Sequence, residues 1–184
     1  MWTPYYNAGL SKQVVRQLLA VIHRDIQAAL DFVSGLPGSY APFAEYDLAL
    51  LPLQQFPALL LTPDTVAVEE QANFTLHQTM RLTCAITVTH QDRNALAELI
   101  QDYVRAVRAV LDSLWEVTPG DFLLASLPLP SPPFPQGALS PGLGNGKLTR
   151  LFADRHTFEE IRRAAQSGFV MAASMSVIVE IEET

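Results

Sequence analysis

The stretch Phe74–Leu114, FTLHQTMRLTCAITVTHQDRNALAELIQDYVRAVRAVLDSL, decides the fold. Its first half alternates apolar and polar side chains, which is the period of a β-strand with one buried side and one solvent-facing side. Only Gln78 interrupts the apolar row. The row consists of Phe74, Leu76, Met80, Leu82, Cys84, Ile86 and Val88. We therefore predict one long strand over this half.

The second half of the stretch has the pattern of a helix. His90–Gln91–Asp92 ends the strand, and Asp92 stands where a helix N-cap is expected. Apolar side chains then recur at helical spacing, with charged and amide side chains between them. The stripe consists of Leu96, Leu99, Ile100, Tyr103, Val104, Val107, Val110, Leu111 and Leu114. We predict a long amphipathic helix with one face on the sheet.

The long strand has a preceding partner. Ala58–Thr62 and then Val66 and Val68 read as a strand, with Pro63 at a bulge or edge position. About fifteen residues at roughly 3.3 Å each would span about 50 Å, far more than an ordinary strand. Either the strand bends or its first half projects beyond the core. A projecting hairpin is marginal alone, so we predict a subunit interface there. Its candidate residues are Phe74, Leu76, His77 and Gln78.

The flanking segments complete an α+β pattern. Helical spacing over 14–33 predicts a first helix, which Gly35 and Pro37 end. Residues 36–56 are expected to form a covering loop. Its aromatic anchors are Tyr40, Phe43 and Tyr46.

The C-terminal part is predicted to hold a short helix and a strand. Thr157 and Glu160 match a capping box, which predicts a brief helix ending near Gly168. Alternation over Phe169–Glu182 predicts a closing strand.

Residues 119–146 form a Pro/Gly-rich arm. They hold seven of the 13 prolines and five of the nine glycines. A long irregular segment in a compact domain usually has a function. Its apolar side chains favour contact with another surface. We add Leu127, Leu129 and Phe134 to the candidate interface residues.

Length and composition indicate one globular domain. The chain has 184 residues, of which 49% are hydrophobic and 17% charged. We predict a single α+β domain over 1–184. A mostly antiparallel sheet with a long hairpin packs against two main amphipathic helices, and 119–146 is an arm or insertion. The net charge of −7 argues against a nucleic-acid-binding surface. The start of the chain lacks the pattern of a signal peptide, and no membrane partner is expected.

The residues suggest no catalytic, cofactor or metal site. His77 and His90 are thirteen positions apart, so a strand places them on opposite faces. The single cysteine, Cys84, falls in the apolar row, which favours a core position over a nucleophile. No phosphate loop, serine elbow or HExxH motif is present. We expect a protein that is not an enzyme and that uses no cofactor.

Three segments resemble the tail terminator, or tail completion, proteins of long-tailed bacteriophages. The first is Phe56–Leu61, an apolar strand introduced by Phe-Pro. The second is Arg81–Val88 running into the helix from Asp92. The third is the closing strand Ser174–Glu180. These are patterns of residue type that cover most of the chain outside the arm.

The resemblance implies a virion protein of the tail's head-proximal end, assembled in the host cytoplasm. It implies a homo-oligomeric ring, commonly a hexamer, that ends growth of the tail tube and joins the tail to the head-side connector or neck protein. Six copies at −7 would carry roughly −42, and an acidic channel would let DNA pass without specific binding.

Two other protein classes remain open. A neck, connector or other head–tail adaptor protein would share the acidic, ring-forming character. A non-viral α+β binding module with an apolar cleft would also explain the low charge.

Overall fold

In a computed structural model of the protein, the described residues are 10–47, 55–70, 76–116, 127–128, 139–140, 146–164 and 168–183. Within these ranges the chain forms two helices and eight strands. They are α1 (Leu10–Ser34), β1 (Glu45–Asp47), β2 (Ala58–Glu70), β3 (Leu76–His90), α2 (Arg93–Glu116), β4 (Leu127–Pro128), β5 (Leu139–Ser140), β6 (Gly146–Phe158), β7 (Arg162–Ala164) and β8 (Gly168–Glu183).

The main sheet has the strand order β1-β2-β3-β8-β6, and β7 pairs with the start of β8. All its pairs are antiparallel except β1 with β2. β4 and β5 form a separate two-stranded pair. The predicted α+β fold with a mostly antiparallel sheet and two main helices is confirmed. Apart from β4, β5 and Gly146, the Pro-rich arm lies outside the described residues.

β3 is paired on both sides from Leu76 to Thr87, and its last three residues pair with β8 alone. At its start Leu76 lies opposite Glu70 of β2 and Glu183 of β8, and at its end His90 lies opposite Phe169. The first half of β3 is therefore not a two-stranded ribbon, because the 16-residue β8 extends equally far. This third strand supplies the pairing that an isolated hairpin lacks.

The core lies between one face of the sheet and the two helices. Alternate residues of β3 from Leu76 to Val88 are buried, as the sequence predicts. From Met80 to Val88 they form one hydrophobic cluster with residues of α1, α2 and the matching rows of β2, β6 and β8. Both helices are amphipathic, and Asp92 caps α2 as predicted: its Oδ1 accepts bonds from the backbone N–H of Asn94 (2.7 Å) and Ala95 (3.1 Å).

Pro63 stands at a bulge in β2, as the sequence predicts. Pro63 lies opposite Leu82 and Thr65 lies opposite Arg81, so Asp64 is an extra residue. The extra residue reverses which side chains of β2 face the helices.

The loop after α1 is anchored by aromatic side chains. Phe43 and Tyr46 are buried, and the Phe43 ring lies 5.2 Å from that of Tyr103 on α2. The Tyr103 hydroxyl donates to the carbonyl of Ala41, and the Tyr40 hydroxyl donates to Asp102 at 2.9 Å. The predicted covering loop is thus present over residues 36–44 and 55–56. Glu45–Asp47 pair with β2 as strand β1 instead, and 48–54 lie outside the described residues.

The prediction of a short helix after Thr157 is wrong. Thr157 and Phe158 continue β6 opposite Ser174 and Ala173, and Arg162 of β7 pairs with Val170. The sheet ladder along β8 overrides the local capping pattern, since a cap is worth only about 1 kcal/mol. Gly168 begins β8 with a φ of +85°, and a Cβ there would lie 2.7 Å from the carbonyl oxygen of His90. Only glycine fits this close approach.

Candidate functional surface

The side of the main sheet that faces away from the helices is the candidate functional surface, and we call it the open face. On β3 its residues are Thr79, Arg81, Thr83, Ala85, Thr87 and Thr89, and on β8 they are Ala172, Ser174, Ser176, Ile178, Glu180 and Glu182. None of these side chains is fully buried, and none belongs to the core cluster. Hydroxyls and short side chains make up much of this face, and Arg81, Glu180 and Glu182 add charges of both signs.

Polar contacts tie the open face together across strands. The Thr83 hydroxyl donates to the Asp64 carboxylate at 2.9 Å, joining β3 to the bulge of β2. Arg150 of β6 pairs with Glu180 of β8 at 3.3 Å. The same guanidinium lies 4.5 Å from the centre of the Phe152 ring. These contacts hold the charged groups in place on the surface of the sheet.

A shallow depression of about 190 Å³ crosses the open face. Arg81 and Arg155 contribute its positive charge and Asp64 its negative charge, with threonine and serine hydroxyls between them. This balance of charges favours contact with a polar surface over the binding of one free anion.

A second, larger cavity of about 360 Å³ lies where the covering loop meets the start of α2. Tyr40, Pro57, Leu99 and Tyr103 give it apolar walls, and Glu98 adds a carboxylate. The Tyr40 hydroxyl has a raised pKa because it is desolvated and because it donates to Asp102. This tyrosine therefore stays protonated and acts as a hydrogen-bond donor.

The predicted interface residues divide between the two faces of the sheet. Leu76 and Gln78 are buried on the helix side, 5% and 6% exposed, while His77 lies on the open face. The backbone of Leu127 lies in β4, which packs near α1. Phe74, Leu129 and Phe134 lie outside the described residues. The structure does not bring these residues into one patch, and their role at an interface stays a prediction.

Sequence reasoning missed the exposed apolar pair Val66 and Val68. Across the bulge they lie opposite Met80 and Gln78, on the helix side, yet they are 44% and 55% exposed. The sequence did contain an indication of this change of face, because both valines follow the bulge predicted at Pro63.

The residues considered for chemistry lie apart. Cys84 is fully buried, which confirms the core position, and burial raises its thiol pKa to about 12. His156 is exposed on β6 and meets the Phe158 ring edge-on. Across the described ranges, no three His, Cys, Asp or Glu side chains cluster as a metal site would require. Neither described helix is both long and apolar enough to cross a bilayer.

Comparison with known proteins finds a likeness among solved structures. No protein-family model matches the chain, and no curated protein sequence matches it. The chain is similar to a chain in the structure titled "Virion of native gene transfer agent (GTA) particle". The two are 16% identical, the match covers 96% of this chain and 99% of the other, and the TM-score is 0.49. A likeness this distant assigns neither a family nor a function.

Proposed function

We propose that the chain is a virion structural protein that forms a ring at the head-proximal end of a phage tail. In this role it terminates polymerisation of the tail tube and joins the tail to the head-side connector. Its partners are copies of itself, the tail tube protein and the connector or neck protein. DNA passes through the ring without specific binding.

One observation carries the proposal: the three segments that resemble tail terminators lie side by side. Residues 56–61 lead into β2, 81–88 form the middle of β3, and 174–180 lie in β8. These strands are consecutive in the sheet, with Leu59 opposite Ile86 and Ile86 opposite Ala173. The resemblance therefore covers one packed unit of the fold. That supports its use as a guide to function.

The surface chemistry also supports a structural role. The open face offers hydroxyls and short side chains along the two central strands β3 and β8. Such a surface suits extended contact with other subunits. The net charge of −7 per chain is the sign that would repel passing DNA.

The test is termination of tube growth in a purified system. A tail tube protein from the same genome is polymerised with and without this chain, and tube length and end structure are measured by electron microscopy. We expect tubes capped at one end by a ring and unable to elongate. Tubes that keep growing, with no ring on their ends, would refute the proposal.

The same experiment distinguishes a tail terminator from a neck or connector protein. A neck or connector protein would bind the head-side partner and leave tube elongation unchanged. The resulting complexes would contain the connector without altered tube length.

A binding module is the second candidate, and the 360 Å³ cavity favours it. Its apolar walls and the Glu98 carboxylate would suit a small apolar ligand with one hydrogen-bond donor. Screening small molecules by thermal shift against the wild type and Leu99→Arg tests this candidate. Stabilisation of the wild type alone would support it over the structural role.

The Pro-rich arm gives a further prediction about assembly. Deleting Ser126–Gln136 should spare folding and weaken the ring, because the arm's apolar residues are proposed to contact a neighbour. Far-UV circular dichroism reports folding, and light scattering reports the oligomer. A ring of unchanged stability in the deletion variant would remove the arm from the interface.

A further inference from the structure

Two strands of the main sheet, β2 and β6, have edges that the other described strands leave unpaired, β2 in part and β6 along its length. β1 pairs only with Ala58–Leu60 of β2. Among the described strands, none pairs with the outer edge of β2 beyond Leu60 or with the outer edge of β6. Open edges present unpaired N–H and C=O groups, and they can pair with another chain.

The open part of β2 has no lysine, proline or bulge of its own, and its charged residues Glu69 and Glu70 stand only at its end. Thr65–Glu70 is regular after the bulge, and Val66 and Val68 expose apolar side chains there. Edge strands that stay solvent-exposed are ordinarily protected by lysines, prolines or bulges. Pro63 and the bulge lie before this stretch and leave its register with β3 regular.

The two edges carry opposite charge. β2 contains Asp64, Glu69 and Glu70 and has no lysine or arginine. β6 contains Lys147, Arg150 and Arg155 against a single carboxylate, Asp154. With histidine neutral, β2 carries −3 and β6 carries +2. Two β2 edges would repel each other, as would two β6 edges, whereas β2 attracts β6.

Strand direction also fits pairing of β2 with β6. β2 is antiparallel to β3, β3 to β8, and β8 to β6, so β2 and β6 run in opposite directions. When a rotation places the β2 edge of one copy beside the β6 edge of the next, the two strands meet antiparallel. That is the pairing used in the rest of the sheet.

We propose that the open edge of β2 in one copy pairs with the outer edge of β6 in the next copy, so that the sheet continues from subunit to subunit. The inference rests on the proposed ring and names its subunit contact. On β6 the regular section between its two bulges is Arg150–Ala153, and it limits the pairing to about one short strand length. The contact is heterologous, which is the type that closes into rings.

Two double variants test the contact, one designed to prevent pairing at the β2 edge and the other at the β6 edge. Val66→Lys with Val68→Lys places two cations on the β2 edge at positions that are already exposed. Lys147→Glu with Arg155→Glu changes β6 from +2 to −2 and leaves the Arg150–Glu180 pair intact. We expect each variant alone to associate at least roughly ten-fold more weakly than the wild type. Sedimentation and light scattering measure the association.

Mixing the two variants tests the head-to-tail arrangement directly. The β2-blocked copy keeps a normal β6, and the β6-blocked copy keeps a normal β2. An equimolar mixture should therefore form dimers and nothing larger. A contact between identical edges would give no such rescue.

Matched controls separate edge effects from general effects of charge. Phe32→Lys changes an 84% exposed apolar residue on α1, and Arg93→Glu reverses an exposed charge at the start of α2. Both should keep the wild-type oligomer. Circular dichroism should show every variant folded, and higher salt should weaken the wild-type contact.

The outcomes distinguish this inference from the proposed function. A wild-type ring that both edge variants leave unchanged would overturn the edge pairing while the ring stands. A wild type that remains a monomer at high concentration and on tail tubes would overturn both. A mixture that remains monomeric while each control forms the ring would also overturn the pairing.

Discussion

Leu82 and Thr83 are neighbours on β3, and they show how differently the two faces of the sheet are used. The Leu82 side chain is completely buried against the helices, while Thr83 lies on the open face and donates to Asp64. The helix side therefore determines whether the chain folds. The open face can vary more freely, so its residue choices carry information about what the folded subunit contacts.

The largest expected difference between the faces comes from a buried charge. Leu82→Asp, or Val104→Asp on α2, places a carboxylate in the core without a partner and should prevent folding, at a cost above about 4 kcal/mol. Thr87→Asp on the open face should cost about 1 kcal/mol or less, because that carboxylate reaches water. Urea unfolding followed by circular dichroism measures both. Similar losses for Leu82→Asp and Thr87→Asp would mean that the open face is covered within the subunit.

A smaller difference is expected from truncation of neighbours on β8. Met175 is 1% exposed on the helix side, so Met175→Ala should lower the free energy of unfolding by about 2–4 kcal/mol through lost burial and a cavity. Ser174→Ala, one position earlier on the open face, should change it by less than about 0.5 kcal/mol. Equal effects at the two positions would contradict the assignment of faces.

The smallest expected effect concerns the helix that covers the core. Hydrogen bonds from the backbone N–H groups of Ala95 and Asn94 lower the pKa of Asp92. The folded pKa is below the unfolded value, so the stabilisation is present above about pH 4 and is lost as the pH falls through the folded pKa. Asp92→Asn keeps a capping oxygen that does not titrate.

The wild type and Asp92→Asn should therefore have similar unfolding midpoints near neutral pH. Below about pH 4 the wild type should lose stability relative to the variant. Thermal unfolding across this range measures the difference. A constant difference between the two proteins at all pH values would show that the carboxylate contributes no capping charge.

Much of the fold follows from periodicity in the sequence. The alternation of β3, the stripe of α2 and the cap at Asp92 all appear in the structure as predicted. These features are local, because burial of one side imposes a period on the residues themselves. The bulge was also predictable from the sequence, because proline disrupts strand pairing.

Features that depend on a distant strand were not predictable. Thr157 and Glu160 match a helix cap, but β8 supplies a ladder that residues near them cannot reveal. The first half of β3 was expected to bend or to project because the strand is far longer than an ordinary one. The equally long β8 that pairs with it lies far away in the sequence. The alternating threonines of β3 predict part of the open face from the sequence. The residues of β8 and β6 that lie beside them can be identified only once the strand order is known.

The extra residue Asp64 shifts the alternation of side chains along β2 by one position. Before it, Leu59 and Leu61 point to the helices, and after it Val66 and Val68 do so instead of Thr65 and Ala67. If β2 instead kept Asp64 in an unbroken alternation without the bulge, the two sets would exchange over the rest of the strand. The valines would then join the threonines of the open face and give it an apolar border. The bulge thus sets which side chains this end of the sheet presents on each face, with no change to any residue in the core.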